Sequence, residues 1–100
     1  MCKDDMFFEI LRVVEAETGI DREILQDPKS RNMEVVDARY LLVYFLRHHA
    51  GYNIGYIAHL LNMTSPGIRR IVRNFELRRE QSGNFFKTIF QQIKNKLKTN

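Results

Sequence analysis

The sequence predicts an all-α fold, a compact bundle of about six helices (two of them short) with a helix-turn-helix in its second half. Three observations predict it. Apolar residues recur at three- and four-residue spacing along most of the chain, the period of one helix face. No stretch alternates apolar and polar residues with period two, as a half-buried strand would. Helix stops and starts fall between the periodic runs, at Gly19, Gly51, Asn53, Thr64-Ser65-Pro66 and Gly83.

The first helix is expected from about Asp4 to Thr18, with Phe7, Ile10, Leu11 and Val14 toward the core and Gly19 ending it. Asp21 is placed to cap one turn through Leu25, and Asp27-Pro28 forces a break, because proline lacks an N–H and restricts the residue before it. The third helix, from about Asn32 to His49, carries Val35, Val36, Ala38, Leu41, Leu42, Val43, Tyr44, Phe45 and Leu46. Apolar around most of its circumference, it should be the buried central helix. Gly51 stops it and Asn53 caps the next, whose stripe is Ile54, Ile57, Ala58 and Leu61. Asn62-Met63-Thr64 is too short to be anything but a turn. Thr64 or Ser65 caps the following helix, with Pro66 in its first turn, and Ile68, Ile71, Val72 and Phe75 form its apolar side. Gly83-Asn84 separates a last helix with Phe86, Ile89, Phe90, Ile93 and Leu97 on one face.

Two short helices held at a fixed angle by such a turn make a helix-turn-helix, whose second helix enters the DNA major groove. That reading helix spans about Ser65 to Phe75. At ~100° per residue, Pro66, Arg69, Arg70 and Arg73 lie opposite its apolar sector, with Gly67 and Asn74 at the margin. A face with three arginines and no acid suits a polyanion. Guanidinium forks can read guanine edges or clamp phosphates, and Gly67 lets backbone approach closely.

Charge is distributed to match. The first thirty residues hold eight acids against Lys3, Arg12, Arg22 and Lys29, whereas from Thr64 onward only Glu76 and Glu80 oppose nine bases. A basic half that coincides with the reading helix is the electrostatic footprint expected for nucleic acid. One hundred residues suit a single domain over 1–100, and 44% hydrophobic content with eleven aromatics argues against disorder. The lone Cys2 excludes an internal disulfide framework and fits a reducing compartment. Asp4 and Asp5 stand where a signal peptide needs basic and then apolar residues, and no run approaches the ~20 apolar residues of a membrane span. A cytoplasmic protein without a membrane role is the expectation.

Catalytic chemistry finds no support. His48 and His49 are adjacent, so on a helix they diverge by about 100° and cannot share a metal as an i, i+4 pair does. Glu15 and Glu17 lie on different sides of the first helix, and no G-x-x-x-x-G-K-[ST] stretch exists to hold a nucleotide. No catalytic residue, metal site, nucleotide or other cofactor is expected, and the chain reads as a binding protein, not an enzyme.

From about Phe8 onward the order of features resembles the C-terminal DNA-binding domain of the bacterial replication initiator DnaA. Thr18-Gly-Ile-Asp-Arg-Glu-Ile-Leu25 looks like that family's short second helix, and Ser30 to Leu46 like its Arg-led segment and long helix with an Ala-Arg signature at Ala38-Arg39. Asn53 to Glu76 matches its helix-turn-helix in length and apolar spacing. The resemblance implies the fold of that domain, of Trp-repressor-like kind, and its mode of docking on duplex DNA. By position it implies Arg31 in the minor groove, Arg39 on phosphate, Asn53, Ile54 and Gly55 at the phosphate-facing start of the first motif helix, Thr64 and Ser65 as base readers, and Gly67 on phosphate. The chain also departs from the family. Thr64-Ser-Pro-Gly-Ile68 stands where the family has Asp-His-Thr-Thr-Val, and Tyr40 where it has Gln. Base readout should therefore shift toward Arg69, Arg70 and Arg73, with Asn74 beside them.

The expected function is sequence-preferring double-stranded DNA binding in replication or transcription control. The alternative is a protein-interaction module with a degenerate helix-turn-helix, in which the apolar face of the last helix and the acidic first helix dock a partner. A protein partner or a second copy stays compatible with either.

Overall fold

A computed structural model describes residues 3–27, 29 and 32–98, and among them the chain forms helices and no strand. In order these are α1 (Lys3–Thr18), α2 (Arg22–Leu25), α3 (Met33–His48), α4 (Ile54–Leu60), α5 (Ser65–Gln81) and α6 (Gly83–Lys98). The all-α bundle expected from the apolar spacing is the fold observed. α3 is the central element. Its residues Ala38, Leu41, Leu42, Val43, Phe45 and Leu46 are all buried, and α1, α2, α4 and α5 pack around it. α6 closes the bundle across α1 and α5. One contiguous apolar core draws side chains from all six helices.

Local chemistry explains most of the boundaries. Asn32, Asn53 and Thr64 have extended backbone and cap α3, α4 and α5, each accepting a hydrogen bond from the N–H three residues on, at 3.4, 2.8 and 3.2 Å. Of the two candidates for the α5 cap, Thr64 is the one used. Gly51 ends the α3 segment at a φ of +75°, a conformation that costs glycine nothing. α5 is longer than expected. It runs past Phe75 to Gln81, and Ser82 alone links it to α6, with Gly83 at a φ of +77° making the bend.

The start of α2 corrects one expectation. Asp21 occupies the cap position but its carboxylate makes no capping bond. The Ile24 N–H donates to the Asp21 carbonyl at 3.0 Å, and across the loop Glu15 of α1 holds the first N–H of the helix. The Glu15 carboxylate accepts from the Arg22 backbone N–H at 2.7 Å and from the Arg22 guanidinium at 2.9 Å. The hydrogen bond from the Arg22 side chain, reinforced by the backbone N–H, holds the Glu15 carboxyl below the usual glutamate range despite some desolvation. A carboxyl with a depressed folded-state pKa contributes stability above its unfolded pKa and loses it as pH falls through the folded one. Glu15→Gln is therefore expected to lower the melting temperature at neutral pH. The gap to wild type should close as pH drops below the unfolded glutamate pKa of ~4.3. A gap that stays constant from neutral to acidic pH would remove this ion pair from the account.

The end of α2 corrects another. Arg39, expected on phosphate, is buried at 6% exposure, and its guanidinium caps the α2 carbonyls. Nε donates to Leu25 O at 3.1 Å, and Nη2 donates to Ile24 O at 3.3 Å and Asp27 O at 2.8 Å. Helix carbonyls without intrahelical partners favour a cation, and α3 supplies one from below. Gln26 then carries the tie to the motif. Its Nε2 donates to Leu60 O at 2.9 Å, at the end of α4, and its own carbonyl accepts from Asn62 Nδ2.

Candidate nucleic-acid interface

The α4–α5 turn is built from one left-handed residue and one cap. Asn62 takes a φ of +56°, a region that asparagine tolerates better than most residues. Met63 N–H returns to Ala58 O at 2.9 Å, and Thr64 opens α5. Behind the turn, Ile57, Ala58, Leu61, Ile68, Ile71 and Phe75 are buried and fix the two helices against each other and α3. Phe75 is the main anchor of α5. Its ring stacks on Tyr44 of α3 at 4.5 Å and lies 5.8 and 5.9 Å from Phe86 and Phe90 of α6. Such ring pairs add about 0.5–1.5 kcal/mol each beyond the area they bury.

With that side of α5 spent on the core, the other side is what solvent meets. Pro66, Arg69, Arg70 and Arg73 are exposed, while Gly67 and Asn74 are half-buried at the margins, as the helical spacing predicted. Among the described residues, Arg69, Arg70 and Arg73 make no ion pair or hydrogen bond. The next two arginines of the same helix differ. Arg78 Nε pairs with Asp37 of α3 at 2.5 Å and its guanidinium lies over the Tyr40 ring. Arg79 pairs with Glu76 at 2.9 Å and lies over Phe90. The cations of α5 thus divide into three that are free, on its first three turns, and two that brace the bundle. Glu76 and Glu80 are exposed toward its C-terminal end, so positive potential concentrates at the N-terminal part. Leu77, 54% exposed and four residues past Arg73, continues the same stripe as an apolar group. Leu77 lies beyond the Ser65–Phe75 span expected for the reading helix, and the i, i+4 spacing from Arg73 is the signal that reaches it.

An open groove of about 620 Å³ runs between α3 and the first turns of α5. Thr64, Gly67, Arg70 and Ile71 line its α5 side, Val36, Tyr40 and the buried Arg39 its α3 side, and Asn62 and Met63 border it from the turn. Gly67 has a structural reason of its own. A Cβ there would stand 3.2 Å from the capping Thr64 Oγ1 and 3.5 Å from Met63 Cε, so the cap itself favours glycine. Ser65 is half-buried beside the cap, while Thr64 remains exposed. On α4, Asn53 and Gly55 are exposed and Ile54 is half-buried against the core. The structure therefore gathers Thr64, Ser65, Gly67, Arg69, Arg70, Arg73 and Asn74 on one helix. It places Asn53, Ile54 and Gly55 at the start of the preceding one and withdraws Arg39 into the interior. Arg31 lies outside the described residues.

No group of three or more metal-binding side chains occurs among the described residues, and no helix there is long and apolar enough to cross a membrane. His48 packs its ring against Tyr44 at 4.5 Å. Compared with protein-family models, curated proteins and solved structures, the chain matches none.

Proposed function

We propose that this chain is a double-stranded DNA-binding domain that docks α5 in the major groove, in the manner of the DnaA C-terminal domain it resembles, and that it serves replication or transcription control. The observation that carries the reading is the set of three unpaired arginines, Arg69, Arg70 and Arg73, on the exposed side of the second motif helix. Ion pairs and ring contacts account for Arg78 and Arg79, so among the five arginines of α5 these three are left for an external anion. Thr64 and Pro66 lead the helix into the groove, Asn53 and Gly55 meet the flanking backbone, and the family resemblance assigns Arg31 to the adjacent minor groove.

The protein-interaction alternative has less apolar surface on α6 than the helical spacing suggests. Phe86, Ile89, Phe90, Ile93 and Leu97 pack inside the domain itself, and Phe85 is the large apolar side chain that this helix exposes.

Phosphate contacts release counterions, so duplex affinity should fall steeply with salt. Three to six cationic contacts predict a log–log slope of about −3 to −5, measured by fluorescence anisotropy on a labelled duplex. A flat salt dependence, or no binding at low salt, would favour the protein-interaction reading.

A further inference from the structure

We propose that the exposed residues of α5 divide the reading of duplex DNA among them, an inference that rests on the major-groove docking of that helix. Arg73 reads a guanine and Leu77 the methyl group of a thymine two base pairs away, while Arg69 and Arg70 grip the backbones of opposite strands. The assignment follows from where each residue stands around the helix. Grooves against α3 flank α5 on both sides. Gly67 and Arg70 line one of them with Tyr40. Val72 and Glu76 line the other, of about 310 Å³, with Tyr44 and His48. Pro66, Arg73 and Leu77 are exposed and border neither, so they form the ridge that stands farthest from the domain. At about 100° per residue, these three fall within a sector of roughly 40°. Arg69 and Arg70 diverge by about 100°, one to each side of the ridge.

A helix in a major groove ~12 Å wide meets base edges along its outermost line and phosphates along its flanks. Arg73 is the one cation on that line. Its fork matches O6 and N7 of guanine. Leu77, 54% exposed on the same line, matches the C5-methyl group that thymine projects into the groove. Four helical residues rise about 6 Å, close to two duplex steps of about 3.4 Å, so the two bases stand two pairs apart. Reading from mid-helix is one of the docking geometries of helix-turn-helix variants. Glu80, exposed one turn beyond Leu77, ends the line, because a carboxylate there repels phosphate. Arg69 and Arg70, on the flanks and without ion pairs, face the phosphates, which position the helix but carry no sequence information.

Selection by wild type from a pool of random duplexes supplies the motif, and base analogues then remove single groups from it. Replacing the guanine by 7-deazaguanine, which lacks N7, should weaken wild type about fivefold or more and leave Arg73→Ala unaffected. Replacing the thymine by uracil removes only the methyl group. It should weaken wild type about threefold and leave Leu77→Ser unaffected. Arg69→Ala and Arg70→Ala should each weaken motif and scrambled duplex by the same factor, about fivefold, and keep both analogue effects. All four side chains are exposed, so every variant should melt like wild type. An analogue effect that persists in Arg73→Ala or Leu77→Ser overturns the assignment, as does a motif lacking either base. Duplex retained without any motif overturns the assignment and leaves the docking of α5 standing. No duplex retained at low salt overturns both.

Discussion

Arg39→Ala is expected to destabilise the free protein by about 2–4 kcal/mol, with no DNA present. Hydrogen bonds from a charged donor are worth roughly 1.5–3 kcal/mol each, and truncation leaves the carbonyls of Ile24, Leu25 and Asp27 without that donor. Water can reach part of the α2 end once the guanidinium is gone, which keeps the loss below the sum. For a domain of about this size, the melting temperature should fall by roughly 10–30 °C. Arg39→Lys should recover only part of it, because a single ammonium cannot span three carbonyls as the planar fork does. Thermal or urea melts of the three proteins decide the matter. An unchanged melt combined with uniformly weaker binding to every duplex would restore Arg39 to the phosphate role that its sequence position suggests.

The opposite pattern is expected for the exposed arginines. Replacing Arg69, Arg70 and Arg73 together by Ala should leave the melting temperature within a few degrees, since exposed residues without partners rarely contribute more than about 0.5 kcal/mol each. Duplex affinity should fall at least about a hundredfold at moderate salt, because each cationic contact contributes about 1 kcal/mol or more, rising to 3 where it grips guanine bidentately. The salt slope should become shallower by about three. Replacing Arg78 and Arg79 instead should act mainly on stability, through Asp37, Glu76 and the rings of Tyr40 and Phe90. An equal loss of affinity per arginine removed in the two sets would mean that net charge alone matters and that α5 has no privileged face.

What could be read from the sequence was whatever is decided within a few residues. Gly51, Asn53 and Thr64 act through their own backbone or the N–H three positions away, so their roles were visible in the order of residues. The split of α5 into an apolar side and an arginine side follows from a 3.6-residue period and survived intact. The errors lie where a distant partner decides. Asp21 has the right chemistry for a cap, but the Ile24 N–H it would hold donates to the Asp21 carbonyl instead, and Glu15, on the neighbouring helix, fixes the start of α2 through Arg22. Arg39 occupies a position that the family resemblance assigns to DNA, yet the end of α2 folds over it and takes its donors. Arg69 and Arg78 look alike in the chain, and only the packing of α3 against α5 puts Asp37 and Tyr40 beside the second of them.

Selection from a random duplex pool tests the central claim most directly. The protein is incubated with the pool at low salt, bound duplexes are recovered and amplified over several rounds, and the enriched sequences are compared with those from the Arg69→Ala, Arg70→Ala, Arg73→Ala triple variant. The account predicts that wild type retains duplex and enriches a short motif, and that the triple variant retains little and enriches none. Failure of wild type to retain duplex DNA at low salt, or enrichment of the same motif by both proteins, would contradict it.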